Sequence, residues 1–367
     1  LPEQATHTWT PPEAPCGDLA YGAPTARLLL PAGDLDDPDF RRRWEKVRRT
    51  GIGGSDVAKI LGLNKYAGPR HVFEEKHGRP VPLDDQVAEY AEIGLEIEDF
   101  ISHLFTKKTG IPAVPTPGTL AHVDRPWMRS NVDRYALDPD TGTVVAPVEL
   151  KNRSAYQLDD WKDGVPDAPA LQVHWNMAVG GWPYGWAVAL VGGNTLRFHR
   201  IERDEELIQT LIDVCGTWFQ RHVIEGRPPQ ADGLEATTEL LGQLWKVKPG
   251  DVIEVSRVKA EKLLARRKRL IEQIEELDGQ KTAVENEMRL ICGGKAAVAQ
   301  VDGKKAWSYA PDGNVSAKKL QKEYPKVAAE CRKTVEQVDV ALLKEKYPKV
   351  YEACRGRVLR VPKAGLR

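Results

Sequence analysis

The segment from Asp133 to Lys151 constrains this chain more than any other. Val144-Val145-Ala146-Pro147-Val148-Glu149-Leu150-Lys151 is β-branched and apolar enough to predict a strand. Side chains alternate across a strand, so Glu149 and Lys151 share one face while Leu150 points into a core. Asp133 closes a second strand-like run, Trp127–Asp133, and can reach the same spot from a neighbouring strand. Two carboxylates and an ammonium converging at a sheet edge suit phosphodiester hydrolysis with a divalent cation. The acids hold Mg²⁺ through oxygen, and the lysine orients or deprotonates the attacking water. Acid–apolar–Lys also occurs by chance, so the surrounding chain has to carry the assignment.

Helix and strand signals around that segment describe an α/β core. Asp39 is a candidate N-cap for a helix over Phe40–Arg49, and Thr50-Gly51-Ile52-Gly53-Gly54-Ser55-Asp56 then leads to another, Val57–Leu61, capped by Ser55 or Asp56. Ala88–Thr109 reads as one amphipathic helix with Ile97, Ile101, Leu104 and Phe105 on a single face, stopped by Gly110 and Pro112. Strands are expected at Leu120–Val123, Met128–Tyr135 and Thr143–Lys151. A helix over Pro169–Ala178, a hairpin of Trp186–Val191 with Thr195–Ile201, and a helix over Asp204–Glu225 follow. The first residues, 1–37, form an irregular arm in which Leu28-Leu29-Leu30 pairs as a short strand or docks on the core. The core spans 38–232, and an extension spans 233–367.

Within the extension, Leu263, Leu270, Leu277, Val284 and Ile291 recur every seventh residue, with Ile274 and Met288 on the adjoining seam. That spacing predicts one long helix, either a coiled coil or a helix packed back on the core, despite the cost of about 1 kcal/mol for Gly279. A hairpin around Asp302-Gly303 comes next. Leu320-Gln-Lys-Glu-Tyr324-Pro325-Lys326-Val327 then recurs as Leu343-Lys-Glu-Lys-Tyr347-Pro348-Lys349-Val350. Two copies are too few for a solenoid, which leaves a paired docking module or a structural clip.

Charge and cysteine content narrow the partners. The 367 residues carry no net charge, but Ser256–Arg367 holds 26 Lys and Arg against 15 Asp and Glu. The remainder holds 27 against 38. An acidic core beside a basic third fits a metal enzyme with a polyanion-binding part, and equally a Lys-rich solvated surface. Five scattered cysteines without Cys-x-x-Cys fit a reducing cytoplasm and argue against zinc or iron–sulfur sites. No apolar run approaches the roughly 20 residues needed to span a bilayer. The start, at Leu1, has no signal-peptide pattern and reads as a processed terminus or a cloning remnant.

Three further features bear on chemistry. The Gly-rich turn before Ser55 offers backbone N–H groups to a phosphate, with Arg48 as a bidentate clamp, although a plain tight turn gives the same pattern. Glu98 follows Gly94 by four residues, so the two share a helix face. Gln172 precedes Val173-His174-Trp175-Asn176, and its amide suits a phosphate oxygen or a water. His174 has no suitably spaced second ligand and reads as structural.

The ordered set Trp44-x-x-x-Arg48, Gly-rich Ser55, Gly94-x-x-x-Glu98, Asp133, Glu149-x-Lys151 and Gln172 resembles the YqaJ-type viral recombinases. These are relatives of the phage lambda exonuclease within the PD-(D/E)XK nuclease superfamily. The resemblance covers about Phe40 to Val223 and implies a restriction-endonuclease-like core, a mixed central sheet flanked by helices, with a helical, coiled-coil-like extension. It implies that Asp133, Glu149 and the backbone carbonyl of Leu150 bind Mg²⁺, with Mn²⁺ substituting. Glu98 would complete the acidic site chiefly through water, and Lys151 would position and activate the nucleophile. Arg48, Ser55 and Gln172 would hold a 5′-phosphate. The exonuclease has a serine two residues before its metal aspartate where this chain has Asn131, an amide that still donates a hydrogen bond.

The implied activity is digestion of one strand of linear duplex DNA from its 5′ end, leaving a 3′ tail for a single-strand annealing protein. A ring-shaped homotrimer around the duplex is implied as well, and a cytoplasmic setting in a bacterial host if the chain is of phage origin. Two other classes compete: a structure-selective endonuclease on the same core, and a non-catalytic DNA-binding scaffold using the basic third. A terminal-phosphate site tells against the former, and an intact Asp133/Glu149/Lys151 set against the latter.

Overall fold

The computed structural model describes residues 19–79, 85–244, 252–294, 297–310, 316–331 and 338–354. The chain divides into two compact units, Leu1–Lys246 and Val247–Arg367. The first unit opens with β1 (Ala26–Pro31), α1 (Pro38–Arg49), α2 (Gly54–Ile60), α3 (Pro69–Lys76), α4 (Asp85–Glu96) and α5 (Glu98–Thr109). Strands β2 (Ala113–Val114), β3 (Gly118–His122), β4 (Arg129–Ser130), β5 (Arg134–Leu137) and β6 (Val144–Arg153) follow. The unit ends with α6 (Asp167–Gly180), β7 (Tyr184–Val191), β8 (Thr195–Glu202), α7 (Glu205–Trp218) and α8 (Glu235–Gln243). Residues 1–18 of the expected arm lie outside the described residues. α8 falls beyond the expected core limit at 232 and belongs to the first unit, with Thr237 and Leu240 buried.

The main sheet has the order β2-β5-β6-β7-β8, in which β6–β7 is the parallel pair and the other neighbours are antiparallel. Parallel neighbours need a crossover, and α6 supplies it. Alternation then sorts the side chains. Val148, Leu150, Val188 and Leu190 pack with Ile101 and Phe105 of α5 on one face. Ala187, Ala189 and Val191 pack with Val173, Trp175 and Met177 of α6 on the other. Glu149 and Lys151, out of phase with Leu150, therefore belong to the α6 face. A second antiparallel sheet, β1-β3-β4, includes Leu28–Leu30 paired with β3.

Several expectations shift. The helix expected over Ala88–Thr109 is two, meeting at Ile97. The Ile97 N–H still donates to Ile93 and its carbonyl still accepts from Ile101, so apolar periodicity runs through the joint without a Gly or Pro to mark it. Asp37, not Asp39, caps α1. α2 begins at Gly54, so Ser55 does not cap it, while Asp56 reaches back to the Gly53 N–H at 3.0 Å. The run Met128–Tyr135 splits between the two sheets, β4 pairing with β3 and β5 with β6. α3, started by Pro69, was not foreseen.

The second unit holds α9 (Arg257–Cys292), β9 (Val298–Val301), β10 (Lys304–Ser308), α10 (Ala317–Glu323), α11 (Pro325–Glu330), α12 (Val340–Lys346) and α13 (Pro348–Ala353). The Ser256 side chain caps α9, and left-handed Gly293 ends it. The β9–β10 hairpin turns at Asp302 and Gly303, both at positive φ. In the repeated motif Tyr324 and Tyr347 adopt nearly the same break, φ/ψ −135°/60° and −131°/57°. A residue before proline is excluded from the helical region, which accounts for both breaks.

Candidate active site

Asp133 lies one residue ahead of β5, and Arg134 is opposite Val148 on β6. That register sets Asp133 across from the Glu-Leu-Lys segment, where its Oδ2 accepts the Leu150 N–H at 2.7 Å. Glu149 is 1% exposed. Its Oε1 accepts from the Lys151 ammonium, and its Oε2 from the Asn176 side-chain amide at 3.3 Å. Asn176 Oδ1 in turn accepts from the buried Ser130 hydroxyl at 2.8 Å. Glu98 starts α5. Arg134 brings it in, standing 3.5 Å from Glu98 Oε2 and donating to the Asp133 carbonyl at 2.6 Å and to Asp99 at 2.5 Å. The four expected groups thus converge from α5, β6 and the start of β5. An acid ahead of one strand and Glu-x-Lys on its neighbour are the arrangement expected from the resemblance to PD-(D/E)XK nucleases.

The electrostatics are those of a crowded acidic site. Burial pushes the Glu149 carboxyl up to about 8, with the Asp133 charge adding to the rise and Lys151 opposing it. Burial and Asp133 likewise raise Glu98 to about 7 against Arg134 and Lys151. Burial works against the Lys151 ammonium, yet Glu149 and Asp133 hold it above its ordinary value. Among the described residues no three His, Cys, Asp or Glu side chains form a ready-made cage for a metal. Mg²⁺ does not need one, because it keeps several waters and takes one or two carboxylates. Two hard oxygen donors, a neighbouring carbonyl and carboxyls that resist ionising together suit such a cation.

The second group of expected residues surrounds the Gly-rich turn. Arg48, half-buried, donates to Glu75 Oε1 at 2.9 and 3.1 Å and lies 4.7 Å from the centre of the Trp44 ring. Ser55 is exposed at the start of α2. Gln172, on α6, packs against that start: a Cβ on Gly54 would meet Gln172 Cγ at 2.8 Å and Asn176 Oδ1 at 3.2 Å. Asn176 is therefore in contact with both the turn and Glu149. Asn131 is exposed, and its Oδ1 accepts from Thr119 at 2.6 Å, so its amide N–H is the group left to donate. His174 is buried.

Sequence reasoning missed four contributors. Asn176 and Ser130 tie α6 and β4 to Glu149 through contacts 27 and 46 residues apart, which no local pattern announces. Lys76, buried, donates to Asp56 at 2.6 Å and to the Arg48 carbonyl at 2.9 Å, clamping both sides of the turn. Arg129 on β4 is 2% exposed, and none of its guanidinium nitrogens finds a partner among the described residues. Burial pushes it down to about 10. It lies against Gly51, where a Cβ would meet Arg129 Cγ at 2.6 Å and the Trp127 carbonyl at 2.5 Å.

Comparison with known proteins follows the same outline. Residues 43–183 match the family described as the YqaJ-like viral recombinase domain. An "uncharacterized protein YqaJ" of Bacillus subtilis (strain 168) is 29% identical over 300 residues, 80% of this chain and 91% of that protein. Among solved structures, an alkaline exonuclease (LHK-Exo) from Laribacter hongkongensis aligns at 15% identity and a TM-score of 0.41, covering 56% of this chain and all of that one. A phage-related exonuclease from Haemophilus somnus 129PT aligns at 11% identity and 0.35, covering 48% and 96%. No described helix is long and apolar enough to cross a membrane. The span that matches the YqaJ-like viral recombinase domain holds Arg48, Ser55, Glu98, Asn131, Asp133, Glu149, Lys151 and Gln172.

Proposed function

We propose that this chain is a divalent-metal-dependent exonuclease that digests one strand of linear double-stranded DNA from its 5′ end. The product would be a 3′ single-stranded tail for recombination by strand annealing. The observation that carries this reading is the bond from the Leu150 N–H to Asp133, which sets that carboxylate beside Glu149 and Lys151. Asp133, Glu149 and the Leu150 carbonyl would hold Mg²⁺, or Mn²⁺ in its place, and Glu98 would reach it through water. A bound cation supplies charge stabilisation at the scissile phosphate and a more acidic water beside it.

The protein's own groups do the rest. Lys151, kept as an ammonium, donates a hydrogen bond that aims the attacking water. Asn176 and the Leu150 N–H keep Glu149 and Asp133 oriented. Arg48, Ser55, Asn131 and Gln172 would receive the terminal 5′-phosphate, with Arg48 exchanging Glu75 for it. Asn176, which touches both ends of the site, keeps the held end in register with the acids. On the resemblance to the exonucleases, a ring trimer would keep the duplex captive between cuts, an annealing protein would take the tail, and the setting would be the bacterial cytoplasm.

The test is a time course on linear and covalently closed circular duplex DNA, with 5′-phosphate or 5′-hydroxyl ends, in Mg²⁺ and in chelator. Loss of linear DNA alone, fastest with phosphate and abolished by chelator, is expected. Cutting of the circle would replace the exonuclease by an endonuclease on the same core. Lys151→Ala should lower the rate at least about 10²-fold while DNA is still retained in a gel-shift assay. A normal rate in that variant would remove Lys151 from the chemistry.

A further inference from the structure

We infer that Arg129 is a fixed positive charge beneath the Gly-rich turn, and that it attracts a terminal phosphate to the turn without touching it. This rests on the proposed role of the turn in holding a DNA end. It adds a residue outside the set Arg48, Ser55, Asn131 and Gln172.

The turn and β4 lie side by side. The Ile52 N–H donates to the Trp127 carbonyl and the Arg129 N–H to the Ile52 carbonyl, both at 2.8 Å, which makes a parallel bridge between Ile52 and Met128. Those two side chains are fully buried on the core face. By alternation Gly51, Gly53 and Arg129 share the opposite face. A Cβ on Gly51 would meet Arg129 Cγ at 2.6 Å and Nε at 3.1 Å, so the missing side chain there makes room for the arginine. Asn131 belongs to the same face. Leu120 pairs with Ser130, which sets Thr119 opposite Asn131, and those two side chains hydrogen-bond at 2.6 Å. Ser130 points the other way, to Asn176. Two residues of strand separate Arg129 from Asn131 by about 7 Å.

Charge singles Arg129 out. Arg48 and Lys76, the cations that flank the turn, are paired with Glu75 and Asp56. Arg129 is 2% exposed, and its three guanidinium nitrogens have no partner among the described residues. Burial alone lowers its pKa, to about 10, so it stays charged at neutral pH. A buried charge without a counterion costs stability, and one kept from water is little screened by salt. Its field therefore reaches the turn even while Glu75 holds Arg48. A phosphate of charge about −2 held by Asn131 and the turn would lie about 10 Å from the guanidinium, where an effective dielectric of about 20 makes the attraction worth tenfold or more in affinity. A 5′-hydroxyl end has no such group to attract.

The experiment measures binding, not cutting. Short blunt duplexes with 5′-phosphate or 5′-hydroxyl ends are titrated by fluorescence anisotropy, in chelator, with the parent chain, Arg129→Met and Arg129→Lys. Methionine and lysine have similar stems, so these two variants differ chiefly in charge. The parent should prefer the phosphate end, Arg129→Met should lose about tenfold of that preference, and Arg129→Lys should keep more of it than Arg129→Met. A parental preference in Arg129→Met, or equal losses in both variants, would overturn the inference. Urea unfolding gives a second reading if a variant binds DNA poorly. Millimolar inorganic phosphate should raise the midpoint of the parent and not that of Arg129→Met, and equal rises would again overturn it. Nothing is cut in chelator, so a parent chain that fails to digest DNA would remove the exonuclease reading and leave this comparison standing.

Discussion

Replacing Lys76 with methionine should remove about 3–5 kcal/mol of folding stability, a large share of the roughly 5–15 kcal/mol that holds a domain together. The Lys76 and Asp56 side chains are each 1% exposed, with Nζ 2.6 Å from Oδ2. At that distance and an effective dielectric of about 20 their attraction is about 6 kcal/mol, before the cost of desolvating both charges. Methionine fills the same space but leaves the Asp56 carboxylate buried without its nearest cation, and it removes the bond to the Arg48 carbonyl. Urea unfolding followed by tryptophan fluorescence at pH 7 reads the loss directly. Asp56→Asn combined with Lys76→Met should recover much of it, because the amide can still accept from Gly53 without carrying a buried charge. The pH dependence carries the sign. Burial works to raise Asp56, yet Lys76, Lys59 and Arg48 together hold it below the usual carboxyl range. A lowered folded-state value adds stability that is complete above the unfolded value of about 3.9 and is lost as pH falls through the folded one. The gap between parent and Lys76→Met should therefore be full above about pH 4 and shrink as pH falls further below it. A gap below about 1 kcal/mol at pH 7, or one that grows as pH falls below about 4, would refute the buried pair as the clamp of this turn.

Other outcomes test the remaining parts. Glu75→Gln frees Arg48 from its internal partner and should strengthen the preference for 5′-phosphate over 5′-hydroxyl ends by several-fold in competition digests; an unchanged preference would take Arg48 out of end recognition. Gly54→Ala drives a methyl into Gln172 and Asn176, so it should cost about 1–3 kcal/mol in denaturant and slow digestion as Asn176 shifts from Glu149. Arg129→Met removes a buried cation that lacks a partner among the described residues and should raise the urea midpoint; a fall would mean that an anion or water satisfies the guanidinium.

The acidic site was legible because its information is local. A period of two places Glu149 and Lys151 together and Leu150 opposite, and the structure buries Leu150 at 3% exposed among the α5 residues. The face of α5 was legible for the same reason, through Ile97, Ile101, Leu104 and Phe105. The supports were not. Lys76 and Asp56 are 20 residues apart, and a sequence presents both as ordinary surface charges. Asn176 looks like any polar residue on a helix until β4 and β6 pack beside it. The joint at Ile97 escaped notice because its hydrogen bonds and apolar spacing continue through it, leaving propensity nothing to detect.

On the proposed reading, the two ends of the site share one electrostatic device. Each carries a cation held in place by an internal acid: Lys151 by Glu149, and Arg48 by Glu75 with Trp44 stacked beside it. An unpaired buried ammonium or a wandering guanidinium would have to be ordered at the moment of binding, at a cost in side-chain entropy of about 2 kcal/mol for such long chains. The internal acids meet that cost in advance, and each then competes with the group the cation is meant to serve. The competition differs at the two ends. Glu149 is itself a proposed metal ligand, so its charge remains useful once Lys151 turns to water, and removing it should abolish cutting. Glu75 has no further duty in the site, so its neutral amide should sharpen phosphate recognition while loosening Arg48 in the free protein. Opposite effects of Glu149→Gln and Glu75→Gln on the rate of digestion of 5′-phosphorylated ends are thus the consequence of a shared geometry, and parallel losses would mean that the two ion pairs are structural alike.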